Sequence, residues 1–186
     1  MTLGLGGVRL ARHGETDDNQ QPFRFQGFRD TPLNETGRSQ AHELAARVAD
    51  HGVAALWSSD LSRARETAQI VGERIGLEPT LDARLREGCR GRWEGHLMVD
   101  VERDEPDLYA AWRRAGAQFR FPDGESLLEH QQRVTESLGE IHATGPLPAL
   151  VVCHGGSIRV MLCASDPRGL DAFHTFEVPN VAVVPL

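Results

Sequence analysis

The sequence predicts an α/β fold, a three-layer sandwich in which a doubly wound, mostly parallel sheet is flanked by helices. Two short apolar runs rich in valine and leucine, at 7–11 and 148–153, each end close to a His-Gly pair. Continuous apolar runs of this length are typical of strands that are buried on both faces of a parallel sheet. Helical patterns lie between the candidate strands, and this alternation favours the doubly wound arrangement.

The predicted elements can be placed in chain order. They are strands at 7–11, 54–59 and 148–153, helices at 34–52, 60–76, 104–115 and 126–143, and one or two terminal strands within 172–186. The first two helices begin at residues that favour N-caps, Asn34 and Asp60, and end at glycines, Gly52 and Gly76. Each has apolar residues at helical spacing on one face, as expected of a helix that packs on a sheet. Pro106 lies in the first turn of the short third helix.

Composition limits the classes of function. The 186 residues fit one domain, and we expect 1–186 to form a single domain. Twenty basic and 27 acidic side chains give a net charge of −7, which argues against nucleic-acid and membrane partners, since both normally require a cationic face. Every basic residue is arginine. Schiff-base chemistry and a P-loop lysine are therefore excluded.

Cysteine usage and hydropathy indicate the compartment. Cys89, Cys153 and Cys163 are odd in number and widely spaced, so neither a disulfide framework nor a zinc site is predicted. The N-terminal residues show no cationic segment followed by an apolar core, and no apolar run approaches membrane-spanning length. We therefore expect a cytoplasmic protein without a membrane anchor.

Two histidines follow the two candidate strands. His13 and His154 are each followed by glycine, and the carboxyl ends of parallel strands meet at one edge of the sheet. A single histidine on an apolar segment is more often a hydrogen-bonded structural side chain. Two at equivalent strand ends, each beside a glycine that lets a ligand approach the backbone, favour a site in one crevice.

Arginines near these histidines suggest the ligand. Arg12 precedes His13, and Arg63 lies in the first turn of the second helix. Guanidinium groups match phosphate oxygens, and helix N-termini add oriented N–H donors. For Arg63 a solvated helix face with acidic neighbours is the alternative, which spacing alone leaves open. A dianionic phosphoryl group fits this set of cations.

Six sequence blocks then indicate a family. They are RHGET (12–16), FQGFRDTPLNETGRSQA (25–41), SSDLSRARETA (58–68), LREGCRGRWEG (85–95), FPDGES (121–126) and CHGG (153–156). Their order resembles that of the histidine phosphatase superfamily, the phosphoglycerate-mutase-like group. The resemblance covers nearly the whole chain. It is greatest to the compact phosphatase branch, because mutases of the family are typically longer, with an inserted segment over the site.

The resemblance implies roles for particular residues. His13 would be the nucleophile that forms a phosphohistidine, with its other ring nitrogen donating to a fixed acceptor such as a backbone carbonyl. The positions that match phosphate-binding residues are Arg12, Arg63, His154, Asn19 and Gly14. Glu87 matches the catalytic acid, a role that requires burial to raise its pKa toward neutrality. Without the resemblance, a surface carboxylate paired with a nearby arginine is the favoured reading of Glu87, and Glu15 is a competing acid.

The resemblance also implies substrate contacts, and ordinary polar loop residues are the alternative for Asn19 and Gln26. The candidate positions are Gln26, Gly27, Arg90 and Gly155. Family members commonly have an aromatic residue at the position of Asp18 and an apolar residue at that of Arg90. Arg90 and Arg92 could reach a second anionic group of the substrate, and two solvated arginines are the alternative. The segment 89–125 is expected to cover the crevice and to determine specificity.

The predicted function is that of a metal-free phosphomonoesterase acting through a phosphohistidine on a small phosphorylated metabolite. No metal or other cofactor is expected, since no H-E-x-x-H or similar spacing is present and the family works without one. The alternatives are a phosphoglycerate mutase and a module that binds phosphorylated ligands without turnover. A homodimer is compatible with the family. The helical histidines His42, His51, His130 and His142 are expected on solvated helix faces or ends.

Overall fold

One mostly parallel sheet forms the centre of the molecule. A computed structural model of the chain describes residues 4–114, 116–117 and 119–186. Strands β1 to β5 of this part are Val8–Arg12, Ala55–Ser58, Thr80–Leu81, Ala149–Cys153 and Val183–Pro185. Their order across the sheet is β3-β2-β4-β1-β5, and β5 is antiparallel to β1, whereas the other neighbours are parallel. The predicted sheet is confirmed.

Helices cover both faces of this sheet. Helices α1 to α6 are Glu35–Val48, Ser62–Ile75, Met98–Asp104, Pro106–Arg113, Leu127–Thr144 and Gly155–Ser165. Short 3-10 helices lie at Asp17–Asn19, Ala83–Leu85, Gly91–Trp93 and Gly169–Thr175. Leu150 and Val152 of β4 pack with side chains of α1 and α2, while Val151 and Cys153 pack with side chains of α5 and α6. Alternate side chains of one strand thus enter two cores, as the three-layer sandwich requires.

The predicted ends of the first two helices are partly right. Asn34 is the N-cap of α1, because its side chain accepts the N–H of Gly37 at 2.8 Å. Gly76 ends α2 in the left-handed conformation, with φ of 73°. Asp60 is not the N-cap of α2, since its carboxylate instead accepts the Nε–H of Arg86 at 2.7 Å. The prediction that α1 continues to Gly52 is also wrong, because the helix ends at Val48.

The other helices differ more from the sequence prediction. The helix expected at 104–115 is α4, which begins at Pro106, and the sequence analysis missed α3, which ends at Asp104 just before it. The proline ring of Pro106 disfavours a helical conformation of the residue before it, and Ala115 lies outside the described residues. The sequence analysis missed α6, whose first two residues are glycines with low helix propensity.

The region 89–125 packs beside the sheet on a third cluster, which is largely aromatic. Trp93 contacts Phe25 and Phe121 with ring centroids 5.0 and 5.6 Å apart, and Trp112 contacts Phe25 at 5.0 Å. Of the terminal strands expected within 172–186, the structure has β5, while a 3-10 helix reaches Thr175. No helix in residues 4–114, 116–117 and 119–186 is long and apolar enough to cross a membrane.

Candidate active site

The parallel pairing of β1 and β4 brings the two histidines together. Arg12 is opposite Cys153 in the register, so the next residues, His13 and His154, leave the sheet side by side. Their ring centroids are 5.1 Å apart, and the rings are inclined by 62°. Both are buried. Two buried imidazoles therefore lie side by side at the carboxyl edge of the sheet.

His13 is held in one tautomer by its own backbone neighbourhood. Its Nδ1 lies 2.6 Å from the carbonyl oxygen of Gly14, and because a carbonyl only accepts, Nδ1 must donate and Nε2 has the free lone pair. Burial, with further contributions from Arg63 and Arg12, holds the pKa of His13 well below its usual range. The ring is therefore neutral and nucleophilic at Nε2. Asn180 fixes the main chain here, donating to the His13 carbonyl at 3.0 Å.

His154 has a hydroxyl partner that the sequence analysis missed. Its Nε2 lies 2.8 Å from Ser59 Oγ, which also accepts the N–H of Leu61 at 3.3 Å. When the Ser59 hydroxyl donates to Nε2, the proton of the neutral ring is on Nδ1. That atom is buried without a hydrogen-bond partner among the described residues. Burial, Arg63 and His13 lower the pKa of His154.

Two buried guanidinium groups flank the histidines. Arg12 donates from Nη1 to the carbonyl of Val178 at 2.7 Å. Arg63 donates from Nη1 to Arg29 at 2.8 Å and from Nη2 to Gly27 at 2.9 Å, both backbone carbonyls. Neither Nε has a partner in the part of the chain that the structure describes. Burial lowers the pKa of each arginine to about 10, so both are charged at neutral pH.

Asn19 and Gln26 lie on the rim of the crevice. Asn19 accepts the N–H of Thr16 at 3.0 Å through Oδ1, and its Nδ2 is buried without a partner in the described ranges. Gln26 donates to the Thr16 hydroxyl. Gly14 has a different position from that expected of a phosphate ligand. Its N–H donates to the hydroxyl oxygen of Thr67 at 3.2 Å, and a Cβ at position 14 would collide with the carbonyl of Gly37.

Glu87 approaches the crevice from the loop after the second 3-10 helix. Its Oε2 accepts the N–H of Gly156 at 2.9 Å, and Oε1 accepts the N–H of Gly88 at 2.9 Å and Nη2 of Arg90 at 3.4 Å. Burial raises the pKa of Glu87, but Arg90, His130 and the two backbone donors outweigh burial and lower it to about 2. The expectation of a raised pKa is therefore wrong.

Arg133 of α5 holds this loop and was missed by sequence reasoning. It donates to the carbonyl oxygens of Arg84, Arg86 and Glu87, each at 2.7 Å. It also pairs with Glu125 at 2.6 Å. Nothing in the local pattern of 126–143 distinguishes Arg133 from a solvated arginine, because its partners are backbone atoms far away in the chain.

His130 corrects a second prediction about α5. Instead of lying on a solvated face it is 1% exposed, and its Nε2 is 3.0 Å from Ser157 Oγ and 4.0 Å from Oε1 of Glu87. Burial lowers its pKa to about 3. The signal was present in the sequence, since His130 lies at helical spacing between the buried residues Leu127 and Val134.

A cavity of about 390 Å³ lies next to these groups, and His13, Arg63 and His154 are buried behind the residues that line it. The predicted site residues that line it are Arg12, Asn19, Gln26, Gly27, Glu87, Arg90 and Gly155. The segment 89–125 contributes Met98, Trp112 and Arg113 in addition to Arg90. Arg92 is instead exposed and pairs with Glu105. Among the described residues, no cluster of three or more His, Cys, Asp and Glu side chains is arranged to hold a metal ion.

Comparison with known proteins identifies the family. The model of the histidine phosphatase superfamily (branch 1) matches residues 8–186. The chain belongs to this superfamily. Histidine phosphatases act through a phosphohistidine, and the protein is a phosphatase of this class.

The relatives of this histidine phosphatase include a named phosphatase and a probable mutase. Glucosyl-3-phosphoglycerate phosphatase of Mycobacterium tuberculosis is 36% identical over 164 residues, which cover 83% of this chain and 73% of that protein. The probable phosphoglycerate mutase GpmB of Serratia proteamaculans is 37% identical over 168 residues, covering 89% and 76%. The native structure of the mycobacterial glucosyl-3-phosphoglycerate phosphatase superposes with a TM-score of 0.85 at 32% identity, covering 95% of this chain and 87% of that one.

Proposed function

We propose that the protein is a metal-independent phosphomonoesterase in which His13 accepts the phosphoryl group of a small phosphorylated metabolite. The observation that carries the proposal is the environment of His13. Its Nδ1–H is fixed on the Gly14 carbonyl, and buried donors without partners in the described residues surround it, namely Nε of Arg12, Nε of Arg63 and Nδ1 of His154. Buried polar groups are normally satisfied, so this set is consistent with a bound anion.

The reaction has two displacements. In the first, Nε2 of His13 attacks phosphorus in line, the bond from phosphorus to the leaving oxygen breaks, and Glu87 gives that oxygen a proton. In the second, water attacks the phosphohistidine, Glu87 takes a proton from the water, and the bond from phosphorus to Nε2 breaks. Inorganic phosphate leaves and His13 is regenerated. One carboxyl group thus serves as acid and then as base.

Fixed cations lower the barrier to both steps. Arg12 and Arg63 keep their charge in a buried site, where they stabilise charge that develops on the phosphoryl oxygens. His154 and Asn19 each add a buried N–H donor without a partner in the described part of the chain. Two guanidinium groups supply the positive charge that a metal ion provides in other phosphatases, which supports metal independence.

Glu87 has to gain a proton before it can act as the acid. Its surroundings lower its pKa to about 2, which suits the base of the second step but not the acid of the first. A dianionic phosphoryl group beside Arg12 and Arg63 places negative charge near Glu87 and neutralises cations that stabilise its ionised form. Both effects raise the pKa of a carboxyl group. Substrate binding itself therefore prepares the acid.

The cavity supports a small metabolite as substrate, with residues 89–125 as the cover that sets specificity. A volume of about 390 Å³ fits a small molecule. The wall contains guanidinium groups of Arg90 and Arg113 and the ring of Trp112. The indole Nε1 of Trp112 is buried without a partner in the described ranges, so it can donate to a substrate oxygen. Glucosyl-3-phosphoglycerate, named for the relative from Mycobacterium tuberculosis, belongs in the substrate panel.

The test is phosphate release from a panel of phosphate monoesters in the presence of EDTA. The wild type is expected to release phosphate, and His13→Ala is expected to release none. Mass spectrometry of the quenched wild-type reaction should locate the phosphoryl group on His13. His42→Ala is the matched control, because His42 is an exposed histidine on α1 and its loss should leave turnover unchanged.

Four results would contradict the proposal. Full inhibition by EDTA, followed by recovery of activity when zinc or magnesium is added, would exclude metal independence. A label on another residue would exclude His13 as the nucleophile. Interconversion of 2- and 3-phosphoglycerate without release of phosphate would identify a mutase, and tight binding of monoesters without an adduct would identify a binding module.

A further inference from the structure

We propose that Arg90 is a positioning residue that keeps Glu87 ionised in the free protein and turns to the anionic substrate when it binds, so that anion binding transfers a proton from solvent to Glu87. The inference rests on the proposed function, in which Glu87 is the catalytic acid. The inference adds the residue whose movement switches Glu87 between its two protonation states.

Arg90 lies beside Glu87 in the wall of the cavity, which both residues line. Its guanidinium carbon lies 4.4 Å from the ring centroid of Phe121, and the side chain is buried yet lines the cavity. Its main-chain N–H donates to Glu94 at 2.9 Å. The backbone is therefore anchored, while the planar end group rests on an aromatic face from which it can reach either the carboxylate or a ligand.

The hydrogen bond from Arg90 is the weakest of the three that Glu87 accepts from the described residues. The N–H groups of Gly156 and Gly88 donate at 2.9 Å, whereas Nη2 of Arg90 donates at 3.4 Å. The first two belong to the backbone and cannot leave without distortion of the loop or of α6. Arg90 can leave by rotation of its side chain. It is therefore the donor that an incoming anion can take away.

The charges around the pair favour this exchange. Titratable or charged groups face Glu87 from the edge of β1, from α2, from its own loop and from α5: Arg12, His13, Arg63, Arg90 and His130. Arg159 of α6 is a further cation that repels both Arg90 and Arg12. Glu87, Glu125 and Glu94 are the carboxylates that face Arg90. An anion in the cavity adds a further negative partner and relieves the repulsion among the three guanidinium groups.

Transfer of Arg90 to the anion changes the state of Glu87. Arg90 is the strongest of the groups that lower the pKa of Glu87. After the exchange the carboxylate has lost this cation and has gained a negative neighbour, and both changes favour its neutral form. One proton then passes from solvent to a carboxyl oxygen of Glu87. No covalent bond changes until that proton is donated to the leaving oxygen.

Sulfate provides a direct test, since it is a dianion that has no proton to give near pH 5. Calorimetric titration in buffers of different ionisation enthalpy measures the number of protons taken up per sulfate bound. Titrations of wild type and Glu87→Gln isolate the contribution of Glu87 from that of the histidines. Arg90→Met removes the charge and retains the length, Arg90→Lys retains the charge, and Arg92→Met is the matched control on the exposed surface.

The expected difference between wild type and Glu87→Gln approaches about one proton per sulfate. In Arg90→Met the carboxyl group of the free protein is already partly protonated, so the uptake should fall to less than about half of the wild-type value. Arg90→Lys and Arg92→Met should behave like wild type. Because Glu87 must be protonated in the first step, it determines the basic limb of kcat/KM for a monoester whose alcohol leaving group needs an acid, such as glycerol 3-phosphate. This limb should move to higher pH in Arg90→Met and return in Arg90→Lys.

Equal uptake by wild type and Glu87→Gln would overturn the inference. So would a loss of kcat in Arg90→Met with an unmoved basic limb, since that is what a merely structural role predicts. The comparison of wild type with Glu87→Gln remains decisive even where Arg90→Met fails to fold. Failure of the proposed function is distinguishable, because the wild type would then take up protons with sulfate but hydrolyse no monoester.

Discussion

Two regions of the site are built in different ways. At the edge of the sheet, His13 and His154 are placed by the hydrogen-bonded register of β1 and β4. Opposite them, the loop of Glu87 is placed by side chains, chiefly by the three donations from Arg133 to backbone carbonyls. The first region depends on secondary structure near each residue. The second depends on contacts from another helix, so distant substitutions can displace the acid while the nucleophile keeps its position.

The largest effect should come from removing a cation of the sheet edge. Arg63→Met deletes a buried guanidinium whose Nε has no partner in the described residues and which we assign to the phosphoryl oxygens. Loss of one such donor typically lowers kcat by about 10²- to 10³-fold. Turnover of p-nitrophenyl phosphate measures this effect, and circular dichroism confirms that the variant is folded.

Arg65→Met provides the matched control for that experiment. Arg65 lies on the same helix two residues later but is exposed. Its substitution should leave kcat within about twofold, as is usual for surface positions. Equal losses in the two variants would mean that the general charge of α2 matters, and that Arg63 has no specific contact with the phosphoryl group.

The sheet edge was accessible from the sequence for a physical reason. A strand that is buried on both faces has a short apolar run in its sequence. The residues that follow two parallel strands lie at the same edge of the sheet. Two such runs end beside His13 and His154, so the pair could be expected before any coordinates. The N-cap at Asn34 and the glycine at Gly76 are equally local signals, and both are confirmed.

The acid loop was not accessible in this way. The family resemblance points to Glu87, but its low pKa results from Arg90, His130 and two backbone donors that surround it in three dimensions. Asp60 is a residue type that favours the N-cap, but its carboxylate accepts a hydrogen bond from Arg86 of the same distant loop. Side-chain pairs between remote segments leave no periodic pattern, which is why these features required the structure.

A substitution in α5 should therefore disturb the acid but not the nucleophile. Arg133→Met removes the donors that hold the carbonyls of Arg84, Arg86 and Glu87. A displacement of the carboxyl group by about 1 Å costs about 10²-fold in rate. We expect kcat to fall by about 10- to 100-fold, while phosphohistidine still forms with p-nitrophenyl phosphate, whose leaving group needs little acid assistance. Burst kinetics and mass spectrometry measure the two effects.

Arg120→Met serves as the control for this prediction. Arg120 is an exposed arginine that lies before α5 and pairs with Glu129 of that helix, so its loss should change kcat little. A complete loss of the phosphohistidine in Arg133→Met, with the fold intact, would contradict the separation of the two regions. It would show that the acid loop also positions the nucleophile.

The smallest effect concerns stability and pH. His130 is buried behind Glu87, and its pKa is lowered to about 3, compared with about 6.5 in an unfolded chain. Between these values the unfolded state binds a proton that the folded state does not. The free energy of unfolding therefore falls as pH falls below about 6.5, by about 1.4 kcal/mol per pH unit for this group.

His130→Gln removes this titration and keeps a donor for Ser157, so its stability should depend less steeply on pH. Urea unfolding near pH 7 and near pH 5.5 measures the slope, and His42→Gln on the exposed face of α1 should retain the wild-type slope. His13 and His154 titrate in the same direction because burial lowers the pKa of both, so the variant keeps part of the dependence. An unchanged slope in His130→Gln would mean that His130 gains a proton without loss of the fold, and that the environment of the acid is more polar than its burial indicates.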